Sequence, residues 1–146
     1  MAVKAIPEGY HAVTPYMVVE GAARLLDFLK RAFDAREVHV SKHPDGKIWH
    51  ADIRIGDSAV MMTDASGQFP PQPCAIYLYV SDTDAAYKRA LAAGAISLME
   101  PANQFYGDRS CGVKDPVGNT WWIATHVEDV SPQEMQRRQE AMATQG

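Results

Sequence analysis

Apolar positions first gather at Tyr16-Met17-Val18-Val19, a short β-prone run, and then recur at helical spacing through Ala22, Leu25, Leu26, Leu29 and Phe33. The pattern predicts a strand entering an amphipathic helix over 21–33. Strands are expected over 37–41 and 48–55, separated by His43-Pro44-Asp45-Gly46, where proline presets φ and glycine accepts positive φ. Gly56-Asp57 makes a second tight turn into a strand over 58–63. The first half therefore reads β-α-β-β-β. Between 64 and 73, Ser66-Gly67 and three prolines favour an irregular linker. The second half starts afresh with an alternating strand over 75–80. Asp82 then caps a helix running to Ala93, and Gly94 ends it at the C′ position. Strands over 96–99, 109–114 and 120–125 complete a second β-α-β-β-β unit.

The two units are internally related. Gly56 to Asp64 aligns without gaps on Gly118 to His126, and Lys30-Arg31-Ala32-Phe33 aligns on Lys88-Arg89-Ala90-Leu91. The expected architecture is α+β, one domain over 1–146, with modules over 12–64 and 74–126 joined by a linker over 65–73. Beyond the repeat, Ser131-Pro132-Gln133-Glu134 reads as a helix start with serine at the N-cap, proline at N1 and glutamate at N3 as a capping box. A helix over 131–143 with a thin apolar stripe of Met135, Gln139 and Met142 is expected.

Composition narrows the function classes. A chain of 146 residues that is 47% hydrophobic and 22% charged has the balance of one ordinary globular domain. Its 18 acidic and 14 basic residues are scattered, so no basic stripe offers itself to nucleic acid. No apolar run approaches the roughly 20 residues of a membrane-spanning helix or the core of a signal peptide, which argues against a membrane and for a cytoplasmic protein. Cys74 and Cys111 lack CxxC spacing and read as reduced thiols. No GxSxG, Walker A or GxGxxG motif is present.

The motif Gln104-Phe105-Tyr106-Gly107-Asp108-Arg109, followed by Asp115-Pro116-Val117-Gly118-Asn119 and preceded by the helix end Ala92-Ala93-Gly94-Ala95, resembles the vicinal oxygen chelate superfamily. That superfamily includes glyoxalase I, bleomycin-resistance proteins and extradiol dioxygenases; the resemblance covers about 12–126, and within it these motifs look like the PhnB-like branch. The resemblance implies paired modules forming a curled mixed sheet, a ligand in the resulting cup, helices outside, and a homodimer. It also implies a divalent metal held by His and Glu. Aligned on these motifs, the ligand positions fall near Thr14, Val60, Ala75 and Trp122, none of which supplies an imidazole or carboxylate. No metal or other cofactor is therefore expected. A displaced site would have to draw on His11, His50, Asp52, Asp108 and His126, and no two of these have HxH or HxxxH spacing.

Strand parity selects candidates for the cup. Ile76, Leu78 and Val80 are aliphatic and suit the helix-packed face, which leaves Ala75, Tyr77 and Tyr79 for the other. Ala51, Ile53 and Ile55 likewise set His50, Asp52 and Arg54 opposite. Trp121 and Ile123 are expected under the helices, and Trp122 in the cup with Tyr16, Val60 and Met62. Two readings of His50, Asp52 and Arg54 stay open. One is a solvated strand face with an Asp–Arg pair. The other is a histidine titrating near neutral pH, held by Asp52 beside a cation, able to bind an anionic or phenolic ligand or to move a proton as a catalytic pair. The aromatic set either fills a half-buried face or makes a pocket for a flat ligand. In the glycine-containing motif, Tyr106 and Arg109 are candidate ligand contacts, with an Asp108–Arg109 turn ion pair as the structural reading. His11, His39, His43 and His126 read as surface or structural. The expected function is metal-independent binding of a small, partly aromatic or anionic molecule. The alternative is a metal-dependent lyase, isomerase or dioxygenase with a non-standard site.

Overall fold

A computed structural model describes residues 2–145. The elements run β1 (Tyr16–Val19), α1 (Ala22–Phe33), β2 (Arg36–Lys42), β3 (Ile48–Ile55), β4 (Ser58–Asp64), β5 (Ala75–Tyr79), α2 (Thr83–Ala92), β6 (Ile96–Asn103), β7 (Asp108–Lys114), β8 (Thr120–His126) and α3 (Pro132–Gln145). They form two four-stranded mixed sheets ordered β1-β4-β3-β2 and β5-β8-β7-β6. In each, the first strand runs parallel to the last strand of its module and the other pairings are antiparallel. This is the α+β architecture of paired β-α-β-β-β modules. No strand pairing among the described residues joins the sheets, so they do not close into a barrel.

One hydrophobic cluster serves both modules. α1 buries Leu25, Leu26, Phe28, Leu29 and Phe33 along the stripe its spacing dictates. Phe33 then packs on Trp121 of the second sheet at 5.2 Å between ring centroids. α2 adds Ala86 and Ala90, whose small side chains let it lie close to α1. The two helices are also tied by Arg89, which donates to both carboxylate oxygens of Asp34 at 2.7 and 3.0 Å.

Each module satisfies the start of its helix from the end of its own sheet. Gly21, the N-cap of α1, has no side chain, and Asp64 at the end of β4 accepts from Gly21 N and Ala22 N instead. In the second module Thr125 Oγ1 accepts from Thr83 N, while Asp82 accepts from Ala85 N as expected of an N-cap.

This equivalence of Asp64 with Thr125 corrects the gapless repeat alignment by one residue. β3 and β4 are joined by the two-residue turn at 56–57. β7 and β8 are joined by the longer segment 115–119, which is organised by the Asp115 carboxylate accepting from Val117 N, Asn119 N, Asn119 Nδ2 and Trp121 Nε1. Val60 and Met62 consequently pair with Ile53 and Ala51 and are buried on the helix-packed face, not in the cup. Met61 takes the place that corresponds to Trp122.

Smaller differences have local causes. β6 continues through Pro101 because it is an edge strand, where a missing N–H need not break a ladder. Ser131 accepts from Glu134 N as an N-cap should, but the Glu134 carboxylate does not turn back to complete the box. It accepts from Arg137 and Arg138 instead, which pull its pKa down to about 2. Cys111 is buried, and desolvation pushes its thiol pKa up to about 11, which makes it an inert packing group. No helix among the described residues is long and apolar enough to cross a membrane.

Candidate functional site

With α1 and α2 on one side of the sheets, the other side of each is free of helices, and register decides which residues stand there. In the second module Tyr77 is level with Trp122, and Trp122 with Gly112. The Trp122 ring lies flat over Gly112, where a Cβ would fall 2.4 Å from Cζ3, so glycine is what lets the indole down onto the sheet. Ile76 and Leu78 point the other way into the core, as parity requires.

The chemistry of this face centres on Asp108, which is only 3% exposed. Its Oδ2 accepts from the Tyr77 and Tyr79 hydroxyls at 2.7 and 2.8 Å, and its Oδ1 meets His126 Nδ1 at 3.0 Å. His126 Nε2 lies 2.7 Å from Asp129, and Tyr106 reaches the Tyr77 hydroxyl at 3.5 Å. Burial alone would push the Asp108 carboxyl up, but the hydrogen bonds from His126, Tyr77 and Tyr79 together outweigh it and hold its pKa below the ordinary aspartate value. The same bond to Asp108, with a second to Asp129, raises the pKa of His126. Desolvation first, and then hydrogen bonding to Tyr106 and Asp108, keeps the Tyr77 phenol protonated.

Asp108 and His126 are level partners on β7 and β8. Sequence reading separated them, assigning Asp108 to Arg109 and His126 to the surface, because antiparallel register is not visible in two distant residues. Arg109 instead points to the helix side, where Asp84 accepts from its Nε and Nη2 at 2.7 and 2.9 Å. Neighbours on a strand face opposite ways, so Asp108 and Arg109 cannot share one side.

In the first module Tyr16, Asp52 and Met61 share the helix-free face. Arg54 Nη1 donates to Asp52 Oδ1 at 2.7 Å, and the Tyr10 hydroxyl donates to Asp52 Oδ2. The Arg54 guanidinium sits 4.7 Å above the centroid of the Tyr10 ring, so the segment before β1 folds over the ion pair. His50 packs obliquely against Tyr16 at 6.4 Å between centroids, and the bonds of Asp52 go to Arg54 and Tyr10 rather than to His50.

Strict alternation fails at one point on β3. The pairing slips between Ser41 and Lys42, opposite Trp49, so that Ile48 turns into the core while Trp49 stays 62% exposed. Trp49 stacks on His43 at 4.8 Å and, with Tyr16, Val18, Thr63 and Phe69, lines a cavity of about 360 Å³. Neither Trp49 nor Phe69 was legible as a site residue, since the bulge that re-aims Trp49 has no signature in the alternation.

The donor set does not suit the divalent metal that the resemblance implies. At the strand positions that face each other stand Tyr16, Met61, Tyr77 and Trp122. The carboxylates of Asp52 and Asp108 already accept hydrogen bonds at both oxygens. Among the described residues no three His, Cys, Asp or Glu side chains converge as a metal site would require.

Comparison with known proteins agrees with this fold. The chain is 38% identical to the uncharacterised protein Mb0911c of Mycobacterium bovis, over 92% of this chain and 94% of that one. Among solved structures it is similar to TioX from Micromonospora sp. ML1, with 25% identity, a TM-score of 0.68, and coverage of 80% of this chain and 99% of that one. It also shares the fold of a Bacillus cereus PhnB protein described as a putative 3-demethylubiquinone-9 3-methyltransferase, with 18% identity, a TM-score of 0.62, and coverage of 79% of this chain and 99% of that one. Residues 10–123 match the model of the Glyoxalase/Bleomycin resistance protein/Dioxygenase superfamily, and the chain belongs to that superfamily.

Proposed function

We propose that this protein binds a small, partly aromatic molecule on the helix-free faces of its sheets without the help of a metal. The observation that carries the reading is the state of the two carboxylates nearest those faces: each is spent on its own neighbours, while the nearby Tyr16, Tyr77 and Tyr79 stay exposed. Tyr16, Tyr77 and Tyr79 are all substantially exposed, an arrangement that costs hydrophobic free energy unless something apolar covers it. An anionic group on the ligand has less support than a ring, because Arg54 and Arg109 are both paired with aspartates. The protein is a homodimer in this reading, acting in the cytoplasm.

Two measurements test the reading. Protein expressed without added metal or chelator should contain divalent metal far below one equivalent by elemental analysis, and a stoichiometric content of zinc, nickel, iron or manganese would overturn it. For a ligand found by screening small aromatic compounds, His50→Ala should weaken binding by about tenfold, or about 1.4 kcal/mol, in calorimetric titration. Unchanged affinity would remove His50 from the site.

A further inference from the structure

The cavity beside Trp49 has walls that are fixed rather than collapsed. Thr63 Oγ1 donates to the Trp49 carbonyl at 2.7 Å and pins the bulge from the neighbouring strand. The other wall is a closed turn of the linker, in which Ser66 N donates to Phe69 O at 2.8 Å and Phe69 N donates to Ser66 Oγ at 3.1 Å. The linker is anchored on both sides of that turn to β1, Ala65 N to Val19 O continuing the β4 side of the ladder and Gln72 N to Val18 O bridging the outer edge. Phe69 is therefore held opposite the sheet although it is 61% exposed, and Tyr16 is 54% exposed. Three large rings presented to solvent around one void, on pinned backbone, form a site made in advance for a ligand.

The polar groups say what kind. Asp64 is the one carboxylate in the lining, and its oxygens accept from Gly21 N, Ala22 N and Ile48 N at 3.0, 2.9 and 2.7 Å, so it offers nothing to a cation. No lysine or arginine lines the cavity to attract an anion. The Gln68 amide and the His43 imidazole remain in the lining as hydrogen-bonding side chains. A volume of about 360 Å³ lies near the lower end of the usual range for small-molecule sites. We propose that this cavity binds a neutral planar aromatic molecule of one or two fused rings, with Trp49 as its stacking surface and Phe69 and Tyr16 as its other walls. The inference rests on the reading of the chain as a small-molecule binder and locates the binding in the first module.

The experiment uses the full chain and two probes, neutral naphthalene-2-carboxamide and anionic naphthalene-2-sulfonate, with the indole N–H signals of Trp49, Trp121 and Trp122 followed by NMR. The carboxamide should shift the Trp49 signal and leave buried Trp121 still. Trp49→Ala should weaken its binding by at least about tenfold, and Trp49→Phe, which keeps a ring, should restore most of it. The sulfonate should bind more weakly than the carboxamide. Thermal unfolding of Trp49→Ala should match wild type, since the side chain is exposed.

A shift confined to Trp122 would overturn the location while leaving metal-independent binding on the second module intact. Equal affinity for the two probes would overturn the assignment to a neutral ligand. A Trp49 signal that moves on dilution of the protein alone would show a second copy in the cavity and overturn the inference. Failure of the carboxamide to shift either Trp49 or Trp122 would count against both readings.

Discussion

Asp108 accepts hydrogen bonds from Tyr77 and Tyr79 on β5 and meets His126 on β8, and these contacts, together with burial, shift the pKa values of all four side chains. The His126 pKa, raised by its bonds to Asp108 and Asp129, should appear above the ordinary value of about 6.5 in an NMR titration of its ring proton, and Asp108→Asn should bring it down. The stabilisation that His126 contributes is complete below the unfolded pKa and is lost as pH rises through the folded one. That of Asp108, whose folded pKa is lowered, is complete above about 3.9 and lost as pH falls through the folded value. Denaturant unfolding across pH should therefore find both contributions present together between about pH 4 and 6.5. Gly107 sets a harder limit: its φ is 99°, and a Cβ would lie 2.2 Å from the Glu128 carbonyl oxygen. Gly107→Ala should cost about 2–4 kcal/mol in urea unfolding, and a cost below about 1 kcal/mol would show that the turn gives way. At this scale the sequence revealed the aromatic and charged candidates on β3, β5 and β8 through parity. It concealed Trp49, because a bulge breaks parity, and the Asp108–His126 pair, because cross-strand register is not a local property.

Asp64 does for α1 what no residue within the helix can. It accepts from two N–H groups at the helix start and one at the start of β3, fastening three elements at a single carboxylate. Asp64→Ala should destabilise the fold by about 2–3 kcal/mol in urea unfolding monitored by circular dichroism, with Asp64→Asn retaining part of the effect through its remaining oxygen. Equal losses in the two variants would mean that charge, not hydrogen bonding, carries the effect. Most elements were readable from periodicity because apolar spacing and turn chemistry agree along the chain: His43-Pro44-Asp45-Gly46 does turn, with Gly46 at φ 92°. The reach of β6 was not, since proline normally ends a strand and only its edge position excuses Pro101. The reciprocal half of the α3 capping box was lost to a competition between acceptors that local sequence does not rank, in which Arg137 and Arg138 captured Glu134.

Across the whole molecule the modules share one core, joined where Phe33 of the first meets Trp121 of the second. They should unfold together, so that tryptophan fluorescence and far-ultraviolet circular dichroism trace a single coincident transition in denaturant. Separate midpoints would show that each half is stable alone. The repeat that disclosed this architecture also misled in one respect, since the best match of letters sits one residue away from the match of faces. Any exchange of strands between the halves, in the laboratory or by recombination within a gene, would have to be cut where inward sides correspond. A splice made where the letters agree would turn the Trp121 ring out to water and bring its neighbour under the helices. What the two modules share is an inside and an outside, and their letters agree one position away from it.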